Sequence, residues 1–196
     1  MKKIIIGNLK ENRINNNYID KLSKIKTNNE VIILPNKEDL SLDNINKISI
    51  GTQNIIDDRY EYVLLGHKDF RNKEDDILIN SKLKESINKD ITVILCVNSI
   101  DTLKKDIKDI NNFTRIIIAY EEDKNIGTSQ ILTKSKISKF IKEAKSITSS
   151  KTKVIYGGGI NKENISIIKE IKDLDGILIG KGCTNIDSFI SIINEY

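Results

Sequence analysis

The 196-residue sequence contains one histidine, two cysteines and no tryptophan. Cys96, Cys183 and the lone histidine lack metal-ligand spacing, so the pattern of a zinc centre is missing. Two unclustered cysteines make no disulfide framework and fit a reducing compartment, with the cytoplasm as the expected location. No apolar run reaches the ~18 residues of a membrane-spanning helix. The opening "MKKIIIGNLKEN" has an apolar run too short for a secretory signal before polar residues resume. The net charge of +4 is spread along the chain, and no basic run stands beside aromatics. Neither nucleic acid nor membrane is therefore an expected partner.

What the sequence does hold is a series of short apolar runs: "KIIIG" (3–7), "VIIL" (31–34), "ISIG" (48–51), "YVLLG" (62–66), "TVILC" (92–96), "RIIIAY" (115–120), "KVIYG" (153–157) and "GILIG" (176–180). They are rich in β-branched residues and lack strict alternation, the pattern of strands buried on both faces of a parallel sheet. Helical spacing separates most of them. It is clear over 134–147 (Ile137, Phe140, Ile141, Ala144, Ile147), 162–173 and 185–194, and weaker over 17–26, 37–46, 76–88 and 99–110. Eight strands alternating with helices predict a single α/β domain over 1–196, a closed (β/α)8 barrel of the TIM type.

One interval breaks the alternation. Only "TQNIIDDRYE" separates the third and fourth strands. At ~3.4 Å per residue, these residues can return along a ~17 Å strand only if mostly extended. The helix between strands 3 and 4 is therefore predicted to be missing or vestigial, leaving one flank thinly covered.

In such barrels the chemistry sits at the C-terminal strand ends. Those ends carry Gly7-Asn8-Leu9-Lys10, Gly66-His67-Lys68-Asp69, Tyr120-Glu121, Gly157-Gly158-Gly159 and Gly180-Lys181-Gly182. Taken singly, each has an ordinary reading: a solvated lysine, a surface or core histidine, a helix cap, a turn. Together they place an ammonium, an imidazole and a carboxylate at one mouth. Facing them are glycine turns whose free backbone N–H groups can cradle a phosphate.

These segments resemble the triosephosphate isomerase family, from the first strand to the last. "GNLKEN" is similar to its first-strand motif and "GTQN" to its third. "YVLLGHKDFR" is similar to the segment with its catalytic histidine, and "AYEEDKNIGTSQ" to its glutamate and mobile lid. "YGGGI" and "DGILIGKG" are similar to its phosphate-binding turns. The resemblance implies cofactor-free interconversion of D-glyceraldehyde 3-phosphate and dihydroxyacetone phosphate, a step of glycolysis and gluconeogenesis. In that family's mechanism Glu121 would be the base, and His67, kept neutral by the following helical turn, would polarise the carbonyl. Lys10 would supply positive charge, oriented by Asn8. Backbone N–H groups of Gly127, Gly159, Gly180 and Lys181 would hold the phosphate, and residues 122–130 would form the lid. The strand-end pattern also fits a phosphate-ligand-binding barrel without turnover, or another phosphosugar barrel enzyme.

The sequence departs from the family pattern in several places. Lys68-Asp69 stands where Ser-Glu is usual, and Asp69 is one methylene shorter. The lid opens Glu122-Asp123-Lys124 in place of Pro-Val-Trp, losing a stiff hinge and an aromatic anchor. Gly159 replaces a serine and Lys181 a glycine. The short third interval removes the loop that interlocks family dimers, so the resemblance implies a monomer or an assembly through another surface.

Overall fold

The computed structural model describes residues 2–41 and 44–196. Eight parallel strands close into a barrel in sequence order. They are β1 (Ile4–Asn8), β2 (Glu30–Leu34), β3 (Ile48–Gln53), β4 (Tyr62–Leu65), β5 (Thr92–Val97), β6 (Ile116–Glu121), β7 (Lys153–Gly157) and β8 (Gly176–Ile179). Closure comes from β8 pairing with β1, with Ile4 to Gly7 opposite Gly176 to Ile179.

The period-2 alternation of a strand sorts its residues between two apolar layers. Ile4, Ile6, Ile32, Leu34, Tyr62, Leu64, Ile94, Cys96, Ile117, Ala119, Ile155 and Leu178 fill the barrel. The residues between them, such as Ile5, Val31, Val63, Val93, Ile118 and Val154, pack outward beneath the helices. This parity positions the site. Asn8 continues the inward row Ile4-Ile6, and Glu121 continues Ile117-Ala119, so both side chains turn into the barrel mouth.

The helices are α1 (Asn16–Ser23), α2 (Lys68–Arg71), α3 (Asp76–Asn88), α4 (Ile100–Asp106), α5 (Lys134–Ile147), α6 (Ile165–Lys169), α7 (Lys181–Thr184) and α8 (Ile186–Glu195). Local chemistry sets their starts. Asn15, Asp75, Ser99, Thr133 and Asn185 each accept a backbone N–H from the first turn, satisfying a donor that the helix leaves free. On α5 the spacing of Ile137, Phe140, Ile141 and Ala144 buries one face.

The β3–β4 interval, Asn54 to Glu61, contains a turn and no helix. It is shorter than the apolar pattern indicates because β3 continues through Thr52 and Gln53. Ile55 on this flank is 40% exposed. The helix expected over 37–46 does not form among the described residues. A 3-10 turn covers Lys37–Asp39, and an Ile45–Ile48 bridge turns the chain straight into β3. Leu42 and Asp43 of that stretch lie outside the described residues. The pattern over 162–173 yields only Ile165–Lys169. Asn164 instead donates its amide to the Gly159 carbonyl at 2.8 Å, serving the turn after β7.

Candidate active site

A cavity of about 300 Å³ opens at the C-terminal mouth of the barrel. Asn8, Lys10, His67, Glu121, Gly127, Gly159, Gly180 and Lys181 all line it, so the structure brings every expected site residue to one place. A larger groove of about 710 Å³ lies beside α1 and the starts of β2 and β3. Among the described residues its titratable lining is Lys26 and Lys47, with no carboxylate or imidazole beside them.

His67 follows β4 and caps α2. Its Nδ1 accepts the Asp69 backbone N–H at 3.3 Å, which leaves the ring proton on Nε2. Nε2 stands 3.8 Å from Oε2 of Glu121. That oxygen is buried and has no hydrogen-bond partner among the described residues. A buried unpartnered carboxylate oxygen carries a desolvation cost, and it is free to accept a proton. Cys96 lies on the neighbouring strand. Burial, and then the adjacent Glu121 carboxylate, push its thiol well above the usual range.

Lys10 sits in a left-handed conformation with φ 52°, an uncommon one for a residue with a side chain. Three contacts hold it there. Its N–H donates to Asn8 Oδ1 at 3.1 Å, its carbonyl accepts from the Gln53 amide at 3.3 Å, and its Nζ meets Asp69 Oδ2 at 3.0 Å. The shorter Asp69 side chain therefore still reaches the lysine. The same carboxylate oxygen lies 3.4 Å from His67 Nδ1, but both atoms are acceptors, so Asp69 pairs with the lysine while its backbone N–H serves the imidazole.

The segment Glu122 to Gln130 covers the opening. Asn125 is buried and donates its amide to the Gln130 carbonyl at 2.9 Å. Leu132 N–H donates to the Tyr156 hydroxyl at 3.0 Å. Burial pushes that phenol up to about 12, so it stays protonated and holds the segment's far end as a neutral group. Gly127 faces the cavity with φ +78°. Gly159, at φ +67°, has a structural reason to replace a serine. A β-carbon there would fall 2.0 Å from the Gln130 carbonyl oxygen. The covering segment occupies the space that a side chain would need.

Gln53, Asp69, Cys96 and Gly157 touch the site residues, yet they were not singled out as candidates in the sequence. Gln53, Asp69 and Gly157 stand inside motifs that the sequence shows, whereas nothing local marks Cys96 as part of the site. Among the described residues, no helix is long and apolar enough to cross a membrane. None of them groups three or more His, Cys, Asp or Glu side chains suited to a metal ion.

A family model for triosephosphate isomerase matches residues 49–196. A protein of Mycoplasmopsis pulmonis named triosephosphate isomerase is 30% identical over 242 aligned positions, spanning 98% of each chain. One of Mesomycoplasma hyorhinis with the same name is 26% identical over 238, also spanning 98% of each. One of Mycoplasma mobile is 30% identical over 160, covering 74% of this chain and 66% of that protein's length. The longer alignments exceed the chain's 196 residues, so stretches present in those relatives have no counterpart here. With eight parallel strands, a strand-end cavity and a profile match across three quarters of its length, the chain belongs to the triosephosphate isomerase family.

Proposed function

We propose that the chain interconverts D-glyceraldehyde 3-phosphate and dihydroxyacetone phosphate through an enediolate, as the names of its relatives suggest. The observation that carries this reading is the unpartnered Glu121 oxygen facing His67 Nε2 inside the cavity that Lys10 lines.

Glu121 takes the proton from the carbon beside the carbonyl and returns it to the neighbouring carbon. The Nε2–H of His67 donates to the carbonyl oxygen and then to the enediolate. Lys10 adds positive charge where negative charge develops, with Asp69 fixing its ammonium and Asn8 its backbone. Backbone N–H groups of Gly127, Gly159, Gly180 and Lys181 hold the phosphate. Closure of 122–130 expels water, which strengthens these interactions and protects the intermediate. No cofactor takes part in these steps. With no interlocking loop after β3, the chain acts as a monomer or assembles through another surface.

A coupled isomerase assay on purified protein tests the reading. Glu121→Asp and His67→Gln should each lower kcat by about 10²-fold or more. Activity that survives both changes refutes the assigned roles. Binding of a phosphorylated three-carbon analogue without turnover would instead identify a non-catalytic barrel.

A further inference from the structure

The residues that open the covering segment are held by side chains rather than by a stiff backbone. Glu122 directly follows Glu121. Its carboxylate, 15% exposed, pairs with Lys136 of α5, lies 3.2 Å from Lys124 Nζ and accepts the Tyr120 hydroxyl at 3.2 Å. The Tyr120 ring stacks on Phe140 of α5 with centroids 3.9 Å apart, which makes a fixed platform. Asp123 is tied on the opposite side. Its carbonyl accepts from Lys68 Nζ at 3.1 Å, and its carboxylate from Asn98 Nδ2 at 3.3 Å. Lys68 follows His67, and Asn98 follows β5. The ends of β4, β5 and β6 are thus joined at one hinge by polar contacts from four elements.

We propose that Lys68 and Glu122 are positioning residues that hold the lid closed and the neighbouring Glu121 in place, forming an ionic hinge. The contacts lie at the start of the lid, where a small rotation moves both Glu121 and the roof at Gly127. Farther along, the lid makes its own local bonds, such as Thr128 Oγ1 to the Asn125 carbonyl. Losing the hinge therefore leaves the lid to swing from its far end, held at Ser129 and Leu132. The catalytic part of this inference rests on the isomerase reading; the mechanical part does not. An enediolate left under an open lid breaks its carbon–oxygen bond to phosphate. The electron pair of the enediolate expels inorganic phosphate, and the enol left behind tautomerises to a dicarbonyl. A loosened hinge thus raises phosphate release per isomerisation.

Amide hydrogen exchange of the ligand-free protein tests the mechanical part. Lys68→Met and Glu122→Gln should each speed exchange over residues 123–131 about fivefold, the effect of one hydrogen bond. Lys68→Arg should restore the wild-type rate, and the barrel strands should keep their protection. Unchanged lid exchange in both variants overturns the hinge, whether or not triose phosphates are substrates. In the active enzyme, phosphate released per turnover should rise in both variants and fall back in Lys68→Arg. A faster-exchanging lid with an unchanged ratio overturns the positioning role. A wild-type chain without isomerase activity refutes the proposed function and leaves the hinge to the exchange result.

Discussion

Glu121 and Gly157 are register partners across β6 and β7, and the glutamate side chain lies over the glycine α-carbon. A β-carbon at Gly157 would stand 2.6 Å from both Cγ and Oε1 of Glu121. Glycine is required there to leave room for the carboxylate, since its backbone lies outside the left-handed region. Gly157→Ala should therefore fold normally and push Glu121 away from His67. A displacement near 1 Å costs about 10²-fold in rate. Steady-state kinetics should show that loss in kcat, with unchanged circular dichroism and little change in binding of a phosphorylated three-carbon analogue. Near-normal kcat would show that Glu121 has another position from which to act.

The left-handed backbone of Lys10 makes a second dependence measurable. The Gln53 amide reaches three carbonyls: Pro35 at 2.7 Å, Leu34 at 3.2 Å and Lys10 at 3.3 Å. It binds the loop after β1 to the loop after β2. Removing it leaves these carbonyls short of a donor and lets Lys10 relax toward ordinary φ values. Gln53→Ala should raise KM about tenfold, because Lys10 meets the substrate in its ground state as well as in the transition state. Comparable losses in kcat alone would assign Lys10 to the transition state only.

The strands were legible because a parallel barrel buries both faces, and eight β-branched runs announce that burial without tertiary information. The strand-end residues are legible because Asn8, His67 and Glu121 follow directly on apolar runs, where such a barrel carries its chemistry. The missing β3–β4 helix followed from chain length alone. Gly157 reads in the sequence as part of a phosphate-cradling turn; its role of leaving space for a residue 36 positions earlier is one that no local pattern encodes. Lys68 was read as a departure, and its partner is a backbone carbonyl 55 residues away. The weak pattern over 37–46 was misleading because apolar spacing alone does not register a bridge such as Ile45–Ile48, which turns the chain into β3.

Acid should loosen the loop after β1 before it unfolds the barrel. The Arg13 guanidinium, hydrogen-bonded to Asp39 Oδ1 at 2.8 Å, holds that carboxyl below the usual range against the opposing effect of burial. The Ile14 N–H, 2.9 Å from Oδ2, acts in the same direction. A carboxyl whose folded pKa lies below its unfolded value, about 3.9, stabilises the fold above that value. The contribution disappears as pH falls through the lower folded value. Denaturant midpoints should therefore drop on acidification below about pH 4. Asp39→Asn should be less stable at neutral pH and show a shallower drop. A slope as steep as that of the wild type would remove Asp39 from the account.

Cys96 and Cys183 give a final test of how closed the barrel is. Both are buried, and burial pushes both thiols upward, so neither supplies the thiolate that alkylating and disulfide reagents attack. The native protein should react with neither reagent at neutral pH, and both thiols should titrate in denaturant. Under partial denaturation, labelling of Cys96 should track loss of activity, because a group added there occupies space beside Glu121. A saturating phosphorylated three-carbon analogue should slow both events equally by holding the lid over the mouth. Rapid labelling of Cys96 in the native state with activity retained would mean that the wall behind Glu121 opens freely, and that the base does not depend on it.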